Sequence, residues 1–147
     1  MSPIGRDTPL LDARARVEGR LPYVLNLSLP GMLHAKVLRS SHPHARITRI
    51  DAAAAAHAPG VVAVLTGREL AEADSIQHLY GIGTRDQPIL AVDRVRFVGE
   101  PVAAVAAETR EQAEAALDLI EVDYDALPSV DGELDAIAPG APILHEG

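Results

Sequence analysis

The sequence predicts an α+β fold, built on a mixed sheet with two main strand–helix units. Each unit is a short apolar run followed at once by a Thr and, three residues after that Thr, by a Glu or Gln. The runs occupy residues 61–65 and 102–107, and the two Thr residues are Thr66 and Thr109. Runs of this length suit buried strands and are far too short to cross a membrane. The Thr-x-x-Glu/Gln spacing is a capping box, which starts a helix.

The second unit is the better defined of the two. Before its strand, Gly99 supplies the conformational freedom for a turn, while Pro101 fixes the exit from that turn and cannot donate to a strand ladder. Residues 102–107 are then predicted to form a core strand that is covered on both faces. The helix after Thr109 carries one apolar stripe, made of Ala113, Ala116, Leu117 and Ile120.

The segments before the first unit predict two further strands. Residues 21–29 place Pro22 among apolar side chains, which favours an edge strand that ends at the turn of residues 30–31. Residues 32–39 alternate between apolar and polar side chains, so they predict a half-buried strand. Its apolar face consists of Leu33, Ala35 and Val37, and its opposite face of His34 and Lys36.

The remaining segments complete the predicted elements. Residues 45–50 predict another strand, after which Asp51 caps a short alanine helix that ends near His57. Residues 72–84 are predicted to be a loop. Residues 120–125 alternate between apolar and acidic side chains, which predicts a strand with one solvated face.

The composition excludes several classes of function. The chain has 147 residues, of which 48% are hydrophobic, and this favours one globular domain over a disordered tail. Its net charge is −8 and it lacks a Lys/Arg run interleaved with aromatics, so nucleic acid is not an expected partner. The absence of Cys excludes disulfides and cysteine-held zinc or iron–sulfur clusters within these residues, and it fits a reducing cytoplasm. Residues 1–11 contain no apolar segment of the kind that a secretory signal needs.

Residue chemistry by itself predicts no catalytic, cofactor-binding or metal-binding residue. His42 and His44 stand near one turn, but no further ligands are spaced to complete a metal site, so a surface turn is predicted. Glu100 presents a carboxylate at the turn before the second unit's strand. With no partner or pocket visible, it is predicted to be a polar turn residue. Ser40 and Ser41 precede His42, but no nucleophile-elbow pattern surrounds them.

Three weaker candidates complete the survey of possible sites. Gly81 and Gly83 lack the third glycine of a dinucleotide fingerprint and do not join a strand to a helix. A solvated strand face is predicted for an acidic strip, with a weak cation site as the open alternative. The acidic strip consists of Glu121, Asp123 and Asp125. The scattered histidines, interpreted as solvent or partner contacts, are His34, His57, His78 and His145.

Four segments of the chain carry a resemblance to a known family. They lie at residues 11–23, 30–51, 59–67 and 95–128, and the most specific contains the run Phe-Val-Gly-Glu-Pro-Val at residues 97–102. In order and spacing they resemble the N-terminal α/β-hammerhead domain of the molybdenum-binding subunit in the xanthine dehydrogenase and aldehyde oxidase family. Asn26 departs from the family, which often has an acidic residue there, and the segment at residues 74–86 is short compared with many relatives.

The resemblance implies a domain organisation. It divides the chain into an N-terminal arm at 1–20, an α/β-hammerhead domain at 21–130 and a C-terminal tail at 131–147, which leads towards cofactor domains absent from this sequence. The arm is either solvated or lies on a partner surface. In the family, the glycine-rich segments that hold the pterin and the glutamate that acts as base at the molybdenum belong to the absent domains. No position of this sequence is assigned to them.

The resemblance also implies a function. The chain would be a structural or assembly module of a molybdenum hydroxylase, an oxidoreductase that hydroxylates aldehydes or N-heterocycles, and would be inactive alone. Molybdopterin, iron–sulfur clusters and FAD are implied for the complete assembly, with a molybdopterin-binding domain or subunit and an iron–sulfur subunit as partners. No membrane partner is expected, and the expected location is the cytoplasm. The alternative is a free-standing protein-binding module with no catalytic partner. A small hydrolase or metal enzyme is the third possibility.

Overall fold

The chain forms two compact units, Met1–Met32 and Leu33–Gly147. The computed structural model describes residues 4–5, 7, 9–73 and 76–145. Parts of the predicted arm and tail, at residues 1–3, 6, 8 and 146–147, lie outside the described residues. Within the described ranges, no helix is both long and apolar enough to cross a membrane. The predicted division at residues 20 and 130 remains a prediction.

The first unit contains one short helix, α1 (Ala13–Val17), all of whose residues are at least partly exposed. Arg14 pairs with Glu18 at 2.9 Å, four residues apart on the helical surface. The prediction of an edge strand over residues 21–29 is wrong, because the chain there forms a single 3-10 turn at Val24–Asn26. The turn closes its own hydrogen bonds, with the Asn26 N–H donating to the Tyr23 carbonyl at 2.8 Å. A strand would instead need a neighbouring strand to satisfy those groups.

The second unit consists of small antiparallel sheets with helices against them. Its described strands are β1 (His34–Arg39), β2 (Ala45–Asp51), β3 (Val61–Thr66), β4 (Leu79–Tyr80), β5 (Gln87–Pro88), β6 (Arg94–Val95), β7 (Pro101–Ala107) and β8 (Glu121–Ala126). Its described helices are α2 (Ala53–Ala56), α3 (Gly67–Glu72), α4 (Arg110–Leu117) and α5 (Glu133–Ala136). The strands pair as a first sheet, β1-β7-β3, a second sheet, β6-β2-β8, and the hairpin β4-β5.

The α+β class is confirmed, while the strand arrangement differs from the predicted mixed sheet. Every described strand pair is antiparallel, and the strands are divided among separate sheets. In the first sheet, β1 and β3 both run opposite to β7, which lies between them. β7, from the second strand–helix unit, is therefore the central strand of this sheet. β3, from the first strand–helix unit, is one of its edge strands.

Both predicted capping boxes are present and start α3 and α4. Thr66 Oγ1 accepts from the Glu69 N–H at 3.4 Å, and Glu69 Oε2 accepts from the Thr66 N–H at 2.8 Å. The equivalent distances for Thr109 and Gln112 are 3.2 Å and 3.0 Å. Each box satisfies two helix N–H groups locally, so this part of the fold follows directly from sequence spacing.

The main core lies between the inner face of the first sheet and α4. Ala103 and Val105 of β7 pack with Ala116 of α4 and with Ile120, just beyond the helix. The predicted apolar stripe of α4 is therefore confirmed. The prediction that residues 102–107 are covered on both faces is met on one face only, because Ala104 and Ala106 on the other face are half-buried. Alanine side chains at these contacts allow the helix backbone to approach the sheet closely, which offsets the small area that each side chain buries.

The first strand, β1, lies with the opposite face inward from the one that its pattern predicts. Leu38 packs against the core, and half-buried Lys36 forms an ion pair with Glu114 of α4. Val37 remains 37% exposed. The exposed face is thus the predicted apolar one, with Leu33, Ala35 and Val37. α4 covers the side of the sheet that carries Lys36 and Leu38. The alternation of apolar and polar residues along β1 therefore does not by itself reveal which face of this strand is buried.

The second sheet agrees with the sequence, and the α2 connection agrees in part. β8 alternates as predicted, with Val122 and Tyr124 half-buried and the carboxylates between them exposed. α2 ends at the His57 cap as predicted, but its N-cap is Ala52 and not the predicted Asp51, whose Oδ1 accepts from the Ala53 N–H at 3.1 Å. The predicted loop at 72–84 is interrupted by β4, and residues 74–75 lie outside the described part of the chain.

Candidate functional site

The Glu100 carboxylate is buried at the turn between β6 and β7. Gly99 adopts φ +92°, which glycine tolerates best, and the turn directs Glu100 inward, where it is 1% exposed. Its Oε2 accepts a short hydrogen bond from the Arg96 N–H, and its Oε1 lies 3.9 Å from Arg96 Nη1. Glu100 is thus a polar residue at a turn, as predicted, but its carboxylate is buried and partnered, which the sequence did not predict. A charge this deep needs a partner, and Arg96 provides one.

The same turn is joined to the end of β1 through backbone hydrogen bonds. The Ser40 N–H donates to the Glu100 carbonyl at 2.9 Å, and the Gly99 N–H donates to the Ser40 carbonyl at 2.7 Å. Arg39 Nη1 also donates to the Gly99 carbonyl at 2.8 Å. These contacts hold the carboxylate within the fold, and they indicate a structural role for Glu100.

His42 and His44 make different contacts and do not converge on one point. The His42 ring stacks on Tyr124, with centroids 4.6 Å apart. His44 is only 5% exposed, so the predicted surface turn holds for His42 and is wrong for His44. His44 Nδ1 donates to the Pro128 carbonyl at 2.7 Å, and among the described atoms its buried Nε2 has no hydrogen-bond partner. This hydrogen bond fixes the His44 ring against the segment that follows β8.

The two serines beside His42 make local contacts. Ser40 Oγ accepts from the His42 N–H at 2.9 Å and donates to the His42 carbonyl at 3.1 Å, which closes the turn locally. Ser41 Oγ lies 3.3 Å from His42 Nδ1, on the exposed surface.

Burial raises the pKa of the Tyr124 phenol above its usual 10.0, and a hydrogen bond with Ser40 partly opposes this rise. The phenol therefore stays neutral at physiological pH.

One arginine of the neighbouring strand pairs with two of the three carboxylates of the acidic strip. Arg49 of β2 lies 2.7 Å from Asp123 Oδ2, 3.1 Å from Glu121 Oε2 and 3.1 Å from Asp51 Oδ2. Hydrogen bonds to Asp123 and Glu121 hold the pKa of the Arg49 guanidinium above its usual range. A protein cation thus already lies among the carboxylates, and Asp125 of the strip pairs in register with Arg46.

The remaining candidates lie apart from one another within the compact unit Leu33–Gly147. Gly81 and Gly83 lie in the loop of the β4-β5 hairpin, so they do not join a strand to a helix. His57 Nδ1 donates to the Ala53 carbonyl at 2.7 Å, and His145 Nδ1 lies 3.6 Å from Asp86 Oδ2. His34 is exposed on β1, and His78 is half-buried before β4.

No metal-binding set emerges from these placements. Across residues 4–5, 7, 9–73 and 76–145, no group of three or more His, Cys, Asp or Glu side chains could hold a metal ion. No reaction step is assigned to these residues.

A cavity of about 150 Å³ adjoins the Glu100 turn, and His44 and Arg96 both line it. Arg96 Nε donates to the Leu144 carbonyl at 2.9 Å, so the arginine links the buried carboxylate to the C-terminal segment. Arg96 Nε and His44 Nδ1 are both hydrogen-bonded to backbone carbonyls, whereas the buried His44 Nε2 has no partner among the described atoms. Sequence reasoning missed Arg96, whose role depends on a turn that brings it back against Glu100.

Sequence reasoning did not assign the outer face of the first sheet. In register, Ala35 and Val37 of β1 lie opposite Ala106 and Ala104 of β7, which in turn lie opposite Ala63 and Leu65 of β3. Residues directly opposite each other share one face of a sheet. We call these six residues the outer sheet face. It carries no polar side chain, and its edge-strand residues are exposed.

Comparisons with known proteins agree with this architecture. A family model for the aldehyde oxidase and xanthine dehydrogenase a/b hammerhead domain matches residues 18–128. The chain is 47% identical over 135 residues to a probable xanthine dehydrogenase subunit of Bacillus subtilis, covering 92% of this chain and 18% of that protein. It is 40% identical to the carbon monoxide dehydrogenase large chain of Afipia carboxidovorans, covering 88% of this chain and 16% of that one.

A solved structure shows the same fold. The crystal structure of quinoline 2-oxidoreductase from Pseudomonas putida 86 matches with a TM-score of 0.83 and 41% identity, over 92% of this chain and 18% of that one. The chain therefore spans less than a fifth of each of these relatives, at 18%, 16% and 18% of their lengths. The family match covers most of the sequence and includes every strand from β1 to β8. The chain belongs to the aldehyde oxidase and xanthine dehydrogenase family, as its a/b hammerhead domain.

Proposed function

We propose that this chain is a structural and assembly module of a molybdenum hydroxylase and that it carries no catalytic group of its own. The observation that supports this most directly is the alignment with the Bacillus subtilis relative, which covers 92% of this chain but only 18% of that protein. The complete enzyme would hydroxylate an aldehyde or an N-heterocycle. Its molybdopterin, iron–sulfur clusters and FAD would be held by other domains or subunits.

The side-chain chemistry of the second unit supports the same proposal. The buried carboxylate of Glu100 is engaged by Arg96, and the buried His44 ring is hydrogen-bonded to Pro128. These are the buried ionisable side chains of the described core, and each one fastens a turn or a strand end. Their contacts favour a role in shape and rigidity over a role in proton transfer.

We propose two partners, the molybdopterin-binding part of the enzyme and its iron–sulfur subunit. Nucleic acid does not fit a chain with net charge −8. We also propose that the assembly works in the cytoplasm, because a chain without Cys has no need of an oxidising compartment.

Elemental analysis by mass spectrometry tests the proposal. The 147-residue chain, purified alone, is expected to carry no stoichiometric molybdenum, while the complete assembly isolated from the native host through this domain carries it. Stoichiometric molybdenum in the purified chain would overturn the proposal. Repeated isolation of the native assembly without any molybdenum protein would favour the alternative, a free-standing protein-binding module.

A further inference from the structure

The outer sheet face is both apolar and partly exposed. Its six residues are all Ala, Val or Leu, and the edge-strand members Val37 and Leu65 are each 37% exposed. The other side of the same sheet is covered by α4 and forms the core. An antiparallel sheet with one covered face normally presents polar residues on the other. Here the six residues of the outer sheet face are apolar, as on a sheet face that is buried against a second layer.

The wrong prediction for β1 points the same way. Its alternation places Leu33, Ala35 and Val37 on one face, and a face of this kind is expected to be buried. In the structure, Lys36 instead lies on the side of the sheet that faces α4, where its ammonium pairs with the Glu114 carboxylate of that helix. The apolar face of β1 is therefore typical of a buried face, but the described part of residues 33–145 does not cover it.

The size of the face decides between possible occupants. Three strands about 4.8 Å apart and about 20 Å long give a face of roughly 300 Å². A stable dimer needs about 800 Å² per partner, so a second copy of this chain held by this face alone would be too weakly bound. A domain of the same polypeptide needs far less contact area, because covalent linkage raises its effective concentration. The apolar character also matches permanent interfaces, which are more hydrophobic than transient ones.

We propose that the outer sheet face is the docking surface for the cofactor-binding part of the molybdenum hydroxylase large chain. This inference rests on the function proposed above, and it names the surface through which that function operates. The relatives supply the occupant's size, since more than four fifths of each lies outside the region that matches this chain, which covers 18% and 16% of them. The occupant presents an apolar surface that packs directly on Val37, Ala63 and Leu65.

Cysteine footprinting tests this directly, because the chain has no Cys of its own. Val37→Cys and Ala63→Cys place a thiol on either edge strand of the face, and Cys is a small apolar residue that suits both positions. Labelling by a maleimide is measured by mass spectrometry of the peptides, first in the 147-residue chain and then in the complete molybdenum-containing enzyme. The expected result is ready labelling at both positions in the chain alone and loss of labelling in the complete enzyme.

The control is Ala115→Cys, on the exposed side of α4 among charged residues. Its labelling is expected to persist in both samples. Labelling at positions 37 and 63 that persists in a molybdenum-containing enzyme would overturn the docking surface and leave the proposed function standing. Protection in the chain alone, together with a dimeric mass by light scattering, would overturn it in favour of a second copy. A complete assembly without molybdenum would overturn the proposed function, and the identity of the occupant with it.

Discussion

Arg96 approaches the buried Glu100 carboxylate from two directions, with its backbone N–H on Oε2 and its guanidinium 3.9 Å from Oε1. The arginine also donates from Nε to the Leu144 carbonyl at 2.9 Å. One side chain thus joins the turn before the central strand to the C-terminal segment. The arrangement gives Glu100 a structural role in the core, which its position in a Gly-Glu-Pro turn does not by itself reveal.

Removal of this carboxylate is expected to destabilise the chain. Glu100→Ala leaves the Arg96 N–H and a partly buried guanidinium without their partner. Because Arg96 is itself 20% exposed, we expect a loss near the lower end for buried pairs, about 3 kcal/mol in the free energy of unfolding. Glu100→Gln retains an acceptor for the N–H and should lose less. Urea denaturation followed by circular dichroism measures both.

The matched control for this experiment is Glu108→Ala, which removes an exposed carboxylate just before α4. Exposed substitutions of this kind change stability by no more than about 0.5 kcal/mol. Equal losses for Glu100→Ala and Glu108→Ala would contradict a structural role for the buried pair.

Gly67 is expected to tolerate no side chain. It begins α3 against the backbone of the segment before β6, and a Cβ atom there would lie 2.0 Å from the Ala91 carbonyl oxygen. Since backbone cannot move aside cheaply, Gly67→Ala should cost about 1–3 kcal/mol of unfolding free energy, as other overpacked substitutions do. Thermal and urea unfolding measure the loss. Gly132→Ala, where the nearest atom is the flexible tip of Asp135 at 3.2 Å, should cost less, because it loses only the glycine N-cap of the short helix α5.

The capping box of α4 should contribute measurably to stability. Thr109→Ala removes the oxygen that accepts from the Gln112 N–H at 3.2 Å, and we expect a loss of about 1 kcal/mol in the free energy of unfolding, measured by urea denaturation. Thr109→Ser retains the hydroxyl and should keep most of that stability. A loss from Thr109→Ser as large as that from Thr109→Ala would assign the effect to the lost methyl group and contradict the capping role.

The Lys36–Glu114 pair predicts a pH-dependent contribution to stability. A hydrogen bond from Lys36, with a smaller one from Arg110, lowers the pKa of Glu114 below its usual 4.5. A carboxyl whose pKa falls on folding stabilises the folded state above its unfolded pKa, and this stabilisation is lost as pH falls through the folded pKa. The difference in stability between the native chain and Lys36→Met should therefore shrink as the solution is acidified below the usual Glu pKa.

NMR titration of the Glu114 carboxyl in Lys36→Met provides the direct measurement. Its pKa should move up towards the usual value, and it should move less in Arg110→Met because Arg110 is the smaller cause. The effect should weaken in high salt, since Glu114 is exposed and Lys36 is only half-buried. An unchanged Glu114 pKa in Lys36→Met would show that the ion pair does not form in solution.

The sequence by itself determined the elements whose hydrogen bonds and periodicity are local. Both capping boxes close within four residues, the α4 stripe repeats at helical spacing, and β8 alternates over its own length. The turn at Gly99 and the start of β7 at Pro101 are local as well. The first depends on the backbone freedom of glycine, and the second on the fixed φ and missing N–H of proline. The family resemblance also follows from the order of such segments, and the hammerhead model that matches residues 18–128 confirms it.

Only the tertiary structure decided which neighbour each residue meets. It turned β1 over, because α4 covers the side that carries Lys36 and Leu38. It replaced the predicted edge strand at 21–29 by a local turn, because a strand forms only beside another strand. It buried Glu100, because the Gly99 turn brings the carboxylate back onto Arg96. In each case, burial depends on which surfaces come together in space, and the spacing of residues along one segment does not contain that information.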